Sequence, residues 1–187
     1  MIIPGWNSDI TPWAEWIAPR IPGGGTYLEV GVFLGASLAI MGELRPDIQL
    51  IAVDPWLDPA SEGWVGVEES IFKNHVKPHG SLFRAFLHYM VSHSPGVLDR
   101  TRVIRGTAET VALRSPVDML FIDGAHDYEN VRADLEAFAP LVKRGGIISG
   151  HDYDDNRVAQ AVDEYFGQKP NRGKPDGTSL ACWWAVS

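Results

Sequence analysis

The chain has 187 residues, enough for one domain with a substantial core. It carries 24 acidic against 16 basic side chains, a formal charge of −8, with 45% apolar residues, a balance that argues against nucleic acid as a partner because phosphate neutralisation needs clustered Lys and Arg. The single cysteine, Cys182, excludes an internal disulfide, and the lack of a basic leader or an apolar run of about 18 residues predicts a cytoplasmic protein without membrane contact.

Residues 1–25 open with Thr11-Pro12 as the N-cap and first position of a short helix whose Trp13, Trp16 and Ile17 share one face. These tryptophans, with Trp6, either pack on the core or overhang a pocket as a lid. Pro19, Pro22 and the glycines 23–25 then break the chain.

Residues 26–37 form an apolar run that breaks at Gly31 and Gly35 and resumes with helical spacing at Leu38, Ile40, Met41 and Leu44. The pattern predicts strand, glycine turn, helix. A dinucleotide fingerprint would require G-x-G-x-x-G, but its first position is Glu29 and its last is Leu34. Glu29 would repel a phosphate, and no Gly-Lys-Ser/Thr follows to make a P-loop. A carboxylate beside close-approach glycines suits a cationic ligand without phosphate.

The next strand, residues 50–54, ends in Asp54, 25 positions after Glu29. That is near the roughly 20-residue offset at which doubly wound sheets place a carboxylate on ribose hydroxyls, although Asp54-Pro55 also reads as a plain turn. Trp56 lies either beside a nucleobase or in the core. Residues 57–100 are too long for a bare connection and predict a helical insertion or lid, with Leu82, Phe83, Phe86, Leu87 and Met90 at helical spacing and Pro95-Gly96 as its end. His75 and His79 have an i, i+4 spacing, but Pro78 intervenes and no H-E-x-x-H glutamate accompanies them, so they read as surface or lid histidines.

A third strand, residues 101–105, leads to Gly106, Thr107 and Ala108, small residues that let a flat ring approach. A buried strand, residues 117–122, delivers Asp123, and Asp127 is an N-cap for a helix with Val131, Leu135, Phe138 and Leu141 inward. Residues 143–146 close that helix, and residues 147–150 form a fifth strand ending at His151-Asp152. If the two strands are neighbours, Asp123 and Asp152 converge at one rim and invite a divalent cation. The tail predicts a helix over 158–166 and a closing antiparallel edge strand over 180–186, in which Trp183 and Trp184 point to opposite faces.

Taken in order, Glu29-Val-Gly31-x-x-x-Gly35, Val53-Asp54-Pro-Trp56, Phe121-Ile-Asp-Gly-Ala-His126-Asp-Tyr128 and Gly145-Gly146-x-x-x-Gly150-His-Asp152-Tyr resemble the class I S-adenosylmethionine-dependent methyltransferases. The resemblance covers residues 26–187 and is greatest to the metal-dependent O-methyltransferase branch that includes the macrolide sugar methyltransferases and the cephalosporin hydroxylase group. It implies a single α/β domain, Rossmann-like and doubly wound, with a seven-stranded, mostly parallel sheet. It also implies S-adenosylmethionine as cofactor, with Glu29, Gly31 and Gly35 bordering its methionine end, Asp54 on the ribose and Thr107 and Ala108 at the adenine; Asp123 and Trp56 complete the expected cofactor-binding set.

The same resemblance makes Asp123 a metal ligand and puts His151 and Asp152 where the family supplies two adjacent oxygen ligands. Mg²⁺ is the expected metal, while an imidazole tilts the preference toward Mn²⁺, Fe²⁺ or Zn²⁺; alternatively His151 stands outside the ligand set and Asp154 or Asp155 supplies the oxygen. His126, three residues past Asp123, is the candidate general base or else a cap of the following helix. The expected activity is metal-assisted O-methylation of a small hydroxylated acceptor. A metal-dependent hydroxylase-like enzyme and a non-catalytic cofactor- or partner-binding protein are the two other readings, and a homo-oligomer that exchanges lids would suit the tryptophans.

Overall fold

The computed structural model describes residues 3–4, 10–57, 69–179 and 181–187. Trp6, residues 58–68 of the expected lid and Leu180 of the expected closing strand lie outside them. The strands are β1 (Thr26–Val30), β2 (Gln49–Asp54), β3 (Thr101–Arg105), β4 (Val117–Ile122), β5 (Val142–Gly150), β6 (Asn171–Arg172) and β7 (Trp183–Val186), in the spatial order β3-β2-β1-β4-β5-β7-β6. β1 to β5 run parallel, and β7 pairs antiparallel with β5. The expected Rossmann-like, mostly parallel sheet of seven strands is therefore present, with the two-residue β6 lying outside β7.

A parallel sheet covered on both faces needs strands that are apolar on both sides, and β1, β2 and β4 meet that demand. Alternation along β1 sends Tyr27 to one layer and Leu28 and Val30 to the other. The first layer is filled by α1 (Ile10–Ile17), α2 (Ala36–Leu44) and α3 (Leu82–His93), through Trp13, Ile17, Leu38, Met41, Phe86 and Met90. The second is filled by α4 (Tyr128–Phe138) and α5 (Asn156–Phe166), through Val131, Leu135, Phe138, Val158 and Val162. No helix among the described residues is long and apolar enough to cross a membrane.

Local chemistry explains the ends of these helices. Asp127 caps α4 by accepting from the Asn130 N–H at 3.0 Å, as expected, and Asp155 caps α5 by accepting from the Arg157 N–H at 2.8 Å. Two boundaries differ from expectation. α1 already includes Ile10 and Thr11, so Thr11 is inside the helix rather than its cap. Residues 143–146 do not merely close α4: they belong to β5, which starts at Val142, because Gly145 takes φ +82° and a register shift against β4 absorbs the extra residues. Backbone bonds between Gly145, Gly146 and Ser187 then tie this part of β5 to the chain end.

Phe121 of β4 is fully buried, with its ring centroid 5.0 Å from that of Trp13 on α1. Phe121→Ala should destabilise the fold by about 3–5 kcal/mol, measured as a lower urea midpoint with an unchanged slope. A loss under about 1 kcal/mol would show that this layer can collapse around the cavity.

Candidate functional site

The strand order reverses at β1, whose neighbours are β2 and β4, and ligands of open α/β sheets bind outside the carboxyl ends of strands at such a switch point. The backbone ladder runs one residue past each strand there: Gly31 N–H donates to Val53 O, Asp123 N–H to Val30 O and His151 N–H to Ile122 O, at 2.8–3.0 Å. Gly31, Asp54, Asp123 and His151 consequently stand along one rim. Gly31 has φ +84°, and a Cβ there would lie 2.3 Å from the Asp123 carbonyl oxygen. The two loops touch through bare backbone, so this glycine is required before any ligand is considered. Gly35, φ +91°, starts α2, and its Cβ would meet Met90 Sδ at 2.6 Å.

Asp54 sits at the end of β2 with its carboxylate turned into the glycine loop. Its Oδ2 accepts from the Val32 and Phe33 N–H groups at 2.8 and 2.9 Å, and its Oδ1 from the Trp56 N–H at 2.5 Å. Burial raises its pKa and these three donors work against the rise. Phe33 and Trp56 adopt left-handed backbone, φ 53° and 42°, to present those donors. Trp56 is 2% exposed, its indole N–H bonded to Phe33 O and its ring against Phe83 and Phe86. The position beside a nucleobase is corrected to a core one, because the left-handed turn swings the indole onto α3.

Glu29 is fully buried beneath the loop, its Oε2 accepting from Tyr27 Oη–H at 2.8 Å and its Oε1 from Ser37 Oγ–H at 2.7 Å. Burial pushes its pKa up to about 8, and the carboxylates of Asp123 and Asp54 add to the rise. It therefore braces the floor of the crevice instead of lining its surface. Thr107, exposed, and Ala108, half-buried, follow β3 on the same rim.

The β4 and β5 ends carry a second group. His126 Nε2 lies 2.9 Å from Asp152 Oδ2, while His151 Nδ1 lies 3.1 Å from Asp152 Oδ1 and 3.6 Å from Asp123 Oδ1. Burial pushes Asp123 up to about 6, against the pull of His151. Asp152 is half-buried, which raises its pKa, but its bonds to His126 and His151 outweigh that and hold it well below the carboxylate range. The Asp152 bond in turn raises His126 above its ordinary value. One ligand atom each from Asp123, His151 and Asp152 falls within a 4.8 Å group, and two carboxylates with an imidazole form a donor set that fits a divalent cation. Asp155 is committed to capping α5 and to Arg157, and Asp154 is exposed; neither belongs to this group.

Two residues at this site were not singled out for it in the sequence. Asp134 of α4 is 9% exposed and is pushed up to about 7 by burial, with Asp127 and Asp54 adding to the rise; an acid on the inward stripe of that helix was the available signal. Trp183 lines a small cleft with Ile122, Val131, Val158 and the Asp123, His126, His151, Asp152 group. Its indole N–H is buried and lacks an acceptor among the described residues. The His75 and His79 pair stays apart from this site: His75 Nδ1 is 2.8 Å from Tyr89 Oη, and His79 stacks on His88.

Comparison with known proteins gives a match of the methyltransferase-domain family to residues 28–153. The protein R132 of Acanthamoeba polyphaga mimivirus is 33% identical over 140 residues, which is 73% of this chain and 55% of that protein, so the chain spans about half the length of this relative. Among solved structures, CalS11, a TDP-rhamnose 3'-O-methyltransferase of calicheamicin biosynthesis, superposes with a TM-score of 0.61 at 16% identity, covering 96% of this chain and 78% of that one. The O-methyltransferase TomG from Streptomyces achromogenes, solved with S-adenosylmethionine, superposes with a TM-score of 0.60 at 14% identity, covering 99% and 82%. At these identities the two structures establish a common fold.

The buried Glu29 supplies a direct test of this electrostatic arrangement. Its folded pKa of about 8 exceeds its ordinary 4.5, so its stabilising contribution is complete below that ordinary value and is lost as pH rises through about 8. Wild type should lose a few kcal/mol relative to Glu29→Gln, which cannot ionise, on going from about pH 5 to about pH 9, read from urea unfolding at both ends. Parallel stability curves for the two proteins would contradict a raised Glu29.

Proposed function

Because the chain belongs to the methyltransferase-domain family, we propose that it uses S-adenosylmethionine to methylate an oxygen of a small hydroxylated acceptor, assisted by a divalent cation at Asp123, His151 and Asp152. One observation carries this reading: Glu29, Asp54 and Asp123 converge at the switch point, where burial raises the pKa of all three and the charges of Asp123 and Asp54 add to the rise at Glu29. Carboxyl groups whose ionisation burial opposes are answered by a cationic ligand, whose ammonium and sulfonium would draw them toward the charged form, and not by a phosphate. The O-methyltransferase activity named for CalS11 and TomG supports oxygen as the acceptor atom.

When bound, S-adenosylmethionine supplies a methyl group on a positively charged sulfur, and a divalent cation supplies Lewis acidity toward a nearby hydroxyl. The chain contributes positioning and proton transfer. An ionised carboxylate has about four accepting positions, and three on Asp54 are taken by backbone N–H groups, which leaves room for one ribose hydroxyl. Thr107 and Ala108 would border the adenine. His126 would accept the acceptor's hydroxyl proton at Nδ1, its Nε2 being engaged with Asp152 Oδ2, as that oxygen takes the methyl from the sulfonium. Its neighbour Asp152 already strengthens it as a base, and its half-exposed ring can turn toward a substrate. α3, held to Trp56 through Phe83 and Phe86, would wall the crevice and help to exclude water.

The test is formation of S-adenosylhomocysteine from S-adenosylmethionine across a panel of sugars, phenols and other small alcohols. Turnover should require a free hydroxyl, and His126→Ala should lower kcat by about 10²- to 10⁴-fold while leaving the cofactor Kd nearly unchanged. Undiminished turnover in His126→Ala would remove it from the mechanism.

A further inference from the structure

We propose that the Asp123, His151 and Asp152 site selects a first-row transition ion such as Mn²⁺, Fe²⁺, Co²⁺ or Zn²⁺ over Mg²⁺. The inference rests on the metal-assisted reading above and adds the class of cation. Mg²⁺ takes near-octahedral oxygen surroundings and gives up its water reluctantly, whereas imidazole suits the later divalent ions. The question is therefore whether the His151 ring belongs to the donor set.

Three features hold it there. First, the His151 N–H donates to Ile122 O at 3.0 Å, continuing the β4–β5 ladder, so strand register fixes where the residue stands. Its side chain is only 10% exposed and its Nδ1 faces both carboxylates, at 3.1 and 3.6 Å. Second, successive side chains of an extended strand point to opposite faces, which would separate residues 151 and 152. Asp152 instead adopts φ 55°, a left-handed conformation rare outside glycine, and its carboxylate turns back beside the preceding imidazole. Third, no further carboxylate completes an all-oxygen set among the described residues, since Asp155 is held by Arg157 and Asp154 lies outside the group. His126, at the other oxygen of Asp152, orients that carboxylate toward the group from outside.

The experiment uses the full chain stripped of metal with a chelator. Calorimetric titration with Mg²⁺ and Mn²⁺, and visible absorption with Co²⁺, are recorded on wild type, His151→Asp and Asp123→Asn; Asp123→Asn accounts for adventitious cobalt at the histidines of residues 75–93. Wild type should bind Co²⁺ about a hundredfold or more tightly than Mg²⁺, with a visible band that excess Mg²⁺ does not erase and Asp123→Asn abolishes. His151→Asp should narrow the Co²⁺ to Mg²⁺ ratio by about tenfold or more. Comparable affinities in wild type, or an unchanged ratio in His151→Asp, would overturn the inference while leaving metal-assisted methyl transfer standing. Absence of any Asp123-dependent cation binding would overturn both, and S-adenosylmethionine binding by the same samples would show whether the cofactor site survives that failure.

Discussion

The contact on which the site depends is the approach of Gly31 to the backbone of Asp123 and Gly124, where a single added carbon would lie within 2.3 Å of a carbonyl oxygen. It joins the loop after β1 to the loop after β4 without an intervening side chain. The chain then turns sharply through Phe33 and Gly35 into α2, and the N–H groups of Val32 and Phe33 face back to Asp54. Backbone donors left in a buried turn must find acceptors, and a carboxylate at the end of the neighbouring strand supplies them. The glycine motif thus has a structural cause independent of any ligand, and the same geometry gathers the acids from which a cofactor site can be built.

Charge divides the rim in two. On the β1 and β2 side, Glu29 and Asp54 are buried with neutral donors as their hydrogen-bond partners, and burial raises both. On the β4 and β5 side, Asp152 is bracketed by two imidazoles, so its charge is stabilised in place. Asp123 stands between them, pushed up to about 6. A cationic organic ligand answers the first half, and a proton or a metal ion answers the second. The proposed transfer of a methyl group from a sulfonium to a hydroxyl would use both kinds of site.

Much of this was legible because strand ends are legible. Apolar runs closing on Asp54, Asp123 and Asp152 mark the carboxyl ends of parallel strands, and the neighbouring placement of β4 and β5 makes the last two converge. Hydrophobic period could not tell that Asp54 would be clamped by three N–H groups, since backbone satisfaction is a three-dimensional property. It also could not fix Trp56, whose side is set by a left-handed φ at a residue other than glycine. Asp134 was hidden because one acid in an apolar helical stripe resembles a boundary position, and Trp183 because alternation in a closing strand gives its face without its neighbours. The start of β5 was misplaced because two adjacent glycines signal a turn and a bulge equally well.

The central claim is that the acidic crevice binds S-adenosylmethionine through Asp54, and calorimetric titration of the cofactor and its demethylated product into wild type and Asp54→Ala tests it most directly. The account predicts a Kd on the order of micromolar for wild type and a loss of about tenfold or more in the variant, the amount expected for a charged hydrogen bond. No binding by wild type, with or without a divalent cation, would contradict it.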